Sequence, residues 1–321
     1  MSHKTRLFVF VFFAICASTL FLATTALAAT FTVNAFYDAV DASPGDGVCA
    51  DAIGACTLRA AADESNATTG SDIIIFANPG TYNIGLSGPM SGTGVQLTRP
   101  VTINGGSLGR IILQGTSNSE MFASFGLYAT VLFENLVMQG ANRAIENSSG
   151  ILTVNQCLLQ NNTATTGGAI YTTYGTVSIS NSSLTNNSAT SDGGAIYAGT
   201  GGTVSIINSQ ISNNSGRTGG AIKVYPGANL SIADSVLNNN TASSAGGAIH
   251  YYSGYTTTKL TILRSDLSYN VAAASGGALY VAHAPYISIH DSSITNNVAN
   301  GVLYGGGGGG LGISSAITPL W

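Results

Sequence analysis

A glycine-rich pentapeptide recurs through the second half of the chain and constrains the fold more than any other feature. The copies are GGAIY, GGAIY, GGAIK, GGAIH and GGALY, starting at Gly167, Gly193, Gly219, Gly246 and Gly276. Their starts lie 26, 26, 27 and 30 residues apart. Because a fixed period on the order of 20–50 residues is typical of solenoids and repeat arrays, each copy indicates one structural repeat.

A second landmark, a run that ends in asparagine, follows each pentapeptide and also follows Asn142-Arg143-Ala144-Ile145, a degenerate earlier copy of GGAI. The position three residues before the final Asn is aliphatic in every run: Leu159, Leu184, Ile211, Leu237, Leu267 and Ile294. Other stretches alternate with period two, as Val177 and Ile179 do against Ser178 and Ser180. This alternation predicts short strands with one aliphatic face, and no window has a sustained helical period.

A single repeat cannot fold alone. It buries about five or six aliphatic side chains, each contributing about 1.5–3 kcal/mol. Ordering its roughly 26 residues costs about 1–2 kcal/mol each in backbone entropy. Because stacking of neighbouring repeats closes this deficit, the sequence predicts an all-β solenoid, a parallel β-helix of roughly nine coils over residues 73–304.

The final asparagines of these runs predict a structural ladder, because stacked amides satisfy one another along the axis. The predicted ladder consists of Asn162, Asn187, Asn214, Asn240, Asn270 and Asn297. The alternative is glycosylation, since several sites match N-x-S/T. Cys157 occupies a column that is otherwise serine, which favours a buried inert thiol over a nucleophile.

Residues 1–28 have the pattern of an export signal. A basic start precedes an apolar stretch, and Ala26-Leu27-Ala28 forms an A-x-A cleavage site. The alternative is an uncleaved membrane anchor. No later stretch reaches the length of a membrane span.

Removal of this segment changes the charge balance and limits the partners. Without Lys4 and Arg6, 8 basic residues face 14 acidic ones, a net charge of about −6. Nucleic acids and anionic membranes need clustered Lys and Arg, so the composition argues against both as partners.

Residues 29–72 differ in composition from the repeats and predict a capping segment. It contains TFTVN, an aspartate-rich loop, and the stretch CTLRAAADESNA, which predicts a short helix. A cap at the end of a solenoid blocks association through its open end.

This segment resembles the CSLREA domain found at the start of exported bacterial β-helix proteins. The motif stands here as Cys56-Thr57-Leu58-Arg59-Ala60-Ala61, with Ala60 where the motif has Glu. Residues 72–115 are similar to the first coils of that group. The GGAI and NNSA repeats resemble those of polymorphic outer-membrane and other right-handed β-helix surface proteins. The resemblance implies a right-handed fold and export, and it says much less about activity.

The N-terminal segment also holds two candidate structural sites. Cys49 and Cys56 lie close together in an exported chain, which predicts a disulfide. The candidate calcium ligands are Asp38, Asp41, Asp46 and Asp51. Their spacing matches no EF-hand and Asp is common in turns, so we expect no cofactor, with calcium as the alternative.

Candidate catalytic residues are sparse. The position six residues before the final Asn is occupied by Gln156, Asn181, Asn208, Asp234, Arg264 and Asp291. Asp234 and Asp291, two coils or about 9–10 Å apart, could serve a polysaccharide lyase or glycoside hydrolase together with Arg264 and Asp266. Arg264 between them favours a charge-alternating turn ladder. The histidines His250, His283 and His290 share no column, which argues against a metal triad.

The fifth letter of the pentapeptide is the main candidate binding feature. If the Ile before it points inward, this position forms one exposed column: Tyr171, Tyr197, Lys223, His250 and Tyr280. Such a face could bind a polysaccharide or a cell-surface protein, although tyrosine also suits plain strand surfaces. We therefore expect a secreted or cell-surface, adhesin-like scaffold without catalysis, with residues 305–321 as a glycine-rich frayed or truncated end.

Overall fold

Parallel strands stack into a right-handed β-helix. The structure is a computed structural model, and it describes residues 28–85, 94–107, 109–127, 129–254, 257–283, 286–301 and 308–314. The coils run through four parallel sheets, which we number 1 to 4. The six coils from Ile151 onward pass through sheets 1, 2, 4 and 3 in that order, and the three coils before them pass through sheets 1, 2 and 3. Beyond its first strand, sheet 1 has nine strands separated by eight complete turns, in agreement with the expected coil number. The predicted signal segment, apart from Ala28, lies outside the described residues.

The strands of the four sheets are short and pair in parallel with the coils before and after them. Sheet 1 consists of Thr30–Val33, Asp72–Phe76, Val101–Asn104, Thr130–Glu134, Ile151–Asn155, Thr176–Ser180, Thr203–Ile207, Asn229–Ala233, Lys259–Leu263 and Tyr286–His290. Sheet 2 consists of Gly80–Asn83, Ile111–Gln114, Leu136–Gln139, Leu158–Gln160, Ser183–Thr185, Gln210–Ser212, Val236–Asn238, Asp266–Ser268 and Ser293–Thr295. Sheet 3 consists of Val95–Leu97, Phe122–Phe125, Ile145–Ser148, Ile170–Thr173, Ile196–Ala198, Ile222–Val224, Ile249–Tyr252, Leu279–Ala282 and Leu311–Ser314. Sheet 4 consists of Thr163–Thr166, Ser188–Asp192, Ser215–Gly216, Thr241–Ala242, Val271–Ala272 and Val298–Ala299.

The two glycines of the pentapeptide form the corner between sheets 4 and 3, and each does a different job. The first is left-handed, with φ between 58° and 70° in the five copies. The second has no room for a side chain: a Cβ on Gly194 would lie 2.1 Å from the carbonyl oxygen of Gly220 in the next coil. The pair therefore combines a tight turn with close coil contact.

The aliphatic columns fill one continuous core along the axis. The column that runs from Leu159 to Leu267 is completely buried, and the Ile of each GGAI copy is buried beside it. The strand register keeps the residues of both columns aligned from coil to coil, because Leu184 pairs with Ile211 and Ile196 pairs with Ile222. Each repeat thus buries its apolar face only against its neighbours.

Asparagine side chains at the corner between sheets 2 and 4 link successive coils. The Asn187 backbone N–H and its Nδ2 both donate to Oδ1 of Asn214, at 2.8 and 3.2 Å. Asn187 Nδ2 also donates to the Leu159 carbonyl of the previous coil, at 3.0 Å. The same pattern continues from Asn214 to Asn240 and from Asn240 to Asn270. This asparagine ladder satisfies polar groups that are shielded from water.

The serine column seen in the sequence forms a second ladder, at the corner between sheets 1 and 2, whose hydrogen bonds were not predicted. The backbone N–H of Ser182 donates to Oγ of Ser209, and that of Ser209 to Oγ of Ser235, both at 3.1 Å. Each hydroxyl also donates to the carbonyl two residues before it. Cys157 ends this ladder, and burial raises the pKa of its thiol to about 12, so it stays protonated.

The N-terminal segment packs onto the first coil through one helix, α1 (Leu58–Ala67). Thr57 caps it by accepting a hydrogen bond from the Ala60 N–H at 3.0 Å. Leu58 and other apolar residues of α1 join the solenoid core. The predicted disulfide between Cys49 and Cys56 is present and fastens the loop before the helix.

The C-terminal glycine run departs from the expected frayed end. Most of residues 305–321 lie outside the described residues, but Leu311–Ser314 pairs with Leu279–Ala282 and extends sheet 3. A Cβ on Gly277 would lie 2.0 Å from the Gly309 carbonyl oxygen, which repeats the corner contact of the other coils. Gly308-Gly309-Gly310-Leu311 is therefore a further, degenerate copy of GGAL.

Substituting the second glycine of a corner tests this arrangement. We expect Gly194→Ala to lower the free energy of unfolding by more than about 3 kcal/mol, because the new Cβ meets rigid backbone. In Gly106→Ala the Cβ has open space, so only its left-handed φ of 65° costs energy, about 1–2 kcal/mol. Urea unfolding of both variants measures the difference, and equal losses would contradict the proposed coil contact.

Candidate ligand-binding surface

The residues that follow the GGAI copies lie in register on the outside of sheet 3. Tyr171 pairs with Tyr197, which pairs with Lys223, and His250 and Tyr280 continue the line. We call these five residues the outer column. Glu146 precedes Tyr171 in the same register.

The outer column is much less exposed than the sequence predicted. Lys223 is 7% and Tyr280 9% exposed, and the other three members are half-buried. The glycine corner brings the end of sheet 4 against the column, so that Ala245 packs on Tyr280 and the Asp192 charge acts on Lys223. The period-two alternation correctly predicted that these side chains point outward. It could not reveal that the end of sheet 4 covers them.

Tyrosine rings in the column stack on each other. The rings of Tyr171 and Tyr197 lie 5.1 Å apart between centroids and are parallel within 1°. The guanidinium of Arg143 lies 4.8 Å from the centroid of the Tyr171 ring. Because these faces are in use, the stacked tyrosines present their edges and hydroxyls, rather than their faces, to a ligand.

Two further tyrosines, the exposed Tyr225 and the half-buried Tyr252, flank the column. The Tyr225 ring lies 6.2 Å from that of Tyr197 and 6.4 Å from that of Tyr252, tilted at 30° and 63°. Tyr225 is 44% exposed. Tyr251, next to Tyr252 in sequence, points into the core and donates to the Ala228 carbonyl, at 3.2 Å. Tyr255 lies outside the described residues.

A lysine–histidine pair occupies the middle of the column. Lys223 Nζ lies 2.5 Å from Nδ1 of His250. Burial lowers the pKa of Lys223 to about 8, with Asp192 opposing the shift. Burial and the Lys223 charge lower the pKa of His250 to about 3, so the imidazole is neutral and its Nδ1 accepts from the ammonium.

An arginine between two glutamates ends the column toward the N-terminus. Arg143 adopts a left-handed φ of 72° where other repeats have glycine, and it pairs with Glu120 and with Glu146, the latter at 2.8 Å. Burial and the neighbouring Glu146 raise the pKa of Glu120 to about 7. Neither Glu120 nor Arg143 was predicted from the sequence as part of this surface. The sequence signal that could have identified them is that residues 142–145 read Asn-Arg-Ala-Ile where the other repeats have GGAI.

The residues considered for catalysis lie on a different corner, between sheets 1 and 2. All six column members have φ between 44° and 53°, a conformation that Asn and Asp adopt more readily than most residues. Arg264 Nε and Nη2 each donate to the Asp234 carboxylate at 2.7 Å, and this pairing lowers the pKa of Asp234. Asp266 lies on sheet 2 and accepts from Ser268 Oγ, whereas Asp291 follows Arg264 in the column.

A shallow groove of about 870 Å³ follows this corner from Gly106 to Val236. Asn181, Asn208 and Asp234 line one side of it. The Asn208 amide donates to Asn181 Oδ1 at 2.7 Å, which holds the amides in a row. The carboxylate of Asp234 is thus available at one end of the groove, but already paired with Arg264.

The candidate calcium ligands bind separate partners. Asp38 pairs with Arg59 at 2.9 Å, Asp41 accepts from the Ala50 N–H, and Asp46 accepts from the Val48 N–H. Asp51 accepts from the Tyr37 hydroxyl at 2.7 Å. In the described part of the chain, no three His, Cys, Asp or Glu residues form a group that could hold a metal ion. Calcium binding stays a prediction.

Comparisons with known proteins bear on the repeat and the fold. The Chlamydia polymorphic membrane protein (Chlamydia_PMP) repeat matches residues 156–173, 181–199 and 234–251. A crystal structure of pectate lyase Pel9A superposes with a TM-score of 0.49 and 16% identity, over 92% of this chain and 78% of that one. No curated protein matches the sequence. Among the described residues, no helix is long and apolar enough to cross a membrane.

Removing the buried ammonium tests the electrostatics of the column. Lys223 has a folded pKa of about 8, below its ordinary 10.5, so its burial costs stability fully below pH 8 and not above 10.5. We expect Lys223→Met to raise the free energy of unfolding by up to about 3 kcal/mol at pH 7, with the gain vanishing between pH 8 and 10.5. Lys259→Met is the control, because Lys259 is an exposed residue of sheet 1. A loss of stability at pH 7 would contradict the account.

Proposed function

We propose that this protein is a secreted or cell-surface β-solenoid scaffold that binds glycans through the outer column and the neighbouring Tyr225. The observation that carries the proposal is the line of aromatic and ionisable side chains in register on sheet 3. Elsewhere the strand surfaces present mainly Ser, Thr and Asn. Aromatic rings and fixed polar groups together are what sugar recognition requires.

Several features support a location outside the cytoplasm. The matched repeat is named for a membrane protein, and residues 1–28 have the pattern of an export signal. The disulfide between Cys49 and Cys56 suits an oxidising compartment. The CSLREA-like motif at Cys56–Ala61 also supports export. A protein partner at a cell surface would use the same face.

The partly exposed ring of Tyr225 supplies the platform that the stacked tyrosines lack. Its ring is tilted away from Tyr197, and 44% of the residue is open to solvent. A sugar can therefore lie against Tyr225 while its hydroxyls meet the edges of Tyr197 and Tyr252. This arrangement places binding beside the column rather than on top of it.

Substitution of Tyr225 tests the proposal. We expect Tyr225→Ser to weaken binding to the best ligand on a glycan array by about 10-fold, since one ring–sugar contact is lost. Tyr286→Ser is the matched control, because Tyr286 is similarly exposed, at 48%, but lies on sheet 1. Equal effects of the two substitutions, or no glycan binding at all, would contradict the proposal.

A second candidate function is polysaccharide cleavage, favoured by the groove that ends at Asp234. Asp234, Arg264, Asp266 and Asp291 would then form the catalytic group, with the polymer lying along the amides. Incubation of the array glycans with the protein, followed by a reducing-end assay, tests it. Turnover that Asp234→Asn abolishes in a folded protein would establish the enzyme and replace the binding scaffold as the main function.

A further inference from the structure

The middle of the outer column holds a buried cation without an anionic partner. The Lys223 ammonium has one hydrogen-bond partner among the described residues, Nδ1 of the neutral His250. No described carboxylate lies within ion-pair distance of its Nζ. Asp192 carries the adjacent negative charge but accepts from Thr218 Oγ1 at 2.6 Å and from Arg217 at 3.3 Å. Because buried charges are normally paired, this ammonium lacks its counterion.

A second cation faces the same place. Arg217 donates to the Asp192 carboxylate, and the residue after Asp192, Gly193, lies against the Lys223 backbone: a Cβ on Gly193 would lie 3.1 Å from the Lys223 backbone nitrogen. Besides burial, the Arg217 charge lowers the pKa of both Lys223 and His250. Arg217 is more than half exposed and uses one of its five N–H donors on Asp192 among the described residues. Two cations against one carboxylate make this corner positive, on a chain whose net charge is −4.

Aromatic rings bound the positive corner. Tyr197 precedes Lys223 in register, Tyr280 follows His250 with ring centroids 4.9 Å apart, and Tyr225 stands 6.2 Å from Tyr197. A ligand that fits must therefore bring one anionic group to the cations and a flat, hydroxylated body to the rings.

We propose that the corner formed by Lys223, Arg217 and Tyr225 binds the carboxylate of an acidic sugar, so that the ligands of this protein are uronic-acid-type glycans. The inference rests on the proposed glycan-binding function and names its ligand class. The planar Arg217 fork matches a carboxylate, and Lys223 Nζ supplies a point charge to the same group. A carboxylate at this position gives the buried ammonium the counterion that the protein does not supply.

The pH dependence follows from the groups that face Lys223. These are His250 and Tyr197 on sheet 3, and Asp192, Arg217 and Thr218 from the end of sheet 4 and its turn. Lys223 is the group that titrates near neutrality, since its pKa is about 8, whereas burial keeps His250 neutral and raises the pKa of Tyr197 to about 12. Affinity for the carboxylate therefore falls as pH rises above 8.

Matched oligosaccharides test the inference. Hexasaccharides of galacturonate, mannuronate and hyaluronan are compared with their methyl esters by isothermal titration calorimetry on the full chain. We expect at least one acid to bind at least about 10-fold more tightly than its ester at pH 7, and this preference to shrink at pH 9. Lys223→Met and Arg217→Gln should each abolish the preference, whereas Lys259→Met keeps it.

The outcomes separate this inference from the function on which it rests. If esters and acids bind equally and Lys223→Met changes nothing, while Tyr225→Ser still weakens binding, the acidic-ligand inference is wrong and glycan binding stands. If no glycan binds, both are wrong. If an aspartate-rich peptide binds in a Lys223-dependent way and no glycan does, the corner recognises a protein carboxylate and the glycan class is wrong. Thermal unfolding of each variant verifies that it is folded.

Discussion

The close contact between glycine corners is the constraint on which the rest of the structure depends. In five successive copies, a Cβ on the second glycine would approach the carbonyl oxygen of the next coil to between 2.0 and 2.5 Å. Only glycine allows that approach, and it fixes the vertical register of sheet 3. This register also aligns the aliphatic core, the asparagine and serine ladders and the outer column. One backbone contact thus aligns side chains that are 26 to 30 residues apart in sequence.

The two polar ladders explain how tight corners are compatible with a dry interior. Asn187, Asn214 and Asn240 are at most 1% exposed, yet each amide donates to a backbone carbonyl and to the next amide. The serine hydroxyls likewise receive the N–H of the coil before and donate to a nearby carbonyl. Because an unsatisfied buried group costs about 1–3 kcal/mol, the ladders extend the stack without that penalty.

The sequence predicts well which side chains point into the core and which point outward. It predicts poorly which of the outward-pointing side chains are buried by a neighbouring element. The period, the aliphatic column from Leu159 to Ile294 and the disulfide follow from local spacing and composition. The burial of Lys223 does not, because the residues that cover it come from sheet 4 and meet sheet 3 only after the glycine corner is formed. Arg143 was missed for a related reason: its partner Glu120 lies one coil away, at a position outside every repeat column. The groove beside Asp234 likewise arises from stacked turns rather than from a motif.

The protein thus consists of a structural repeat and a variable outer column. The inference of an acidic glycan ligand depends on the unpaired charge of Lys223. The chain contains three lysines, Lys4, Lys223 and Lys259, so the Nζ signal of Lys223 can be assigned in a ¹⁵N-lysine NMR spectrum with Lys223→Met as reference. A pH titration of that signal is the most direct measurement. We expect a pKa of about 8 for Lys223 in the free protein and a higher value with a saturating carboxylated oligosaccharide. A free value near 10.5, or no change when the ligand binds, would contradict it.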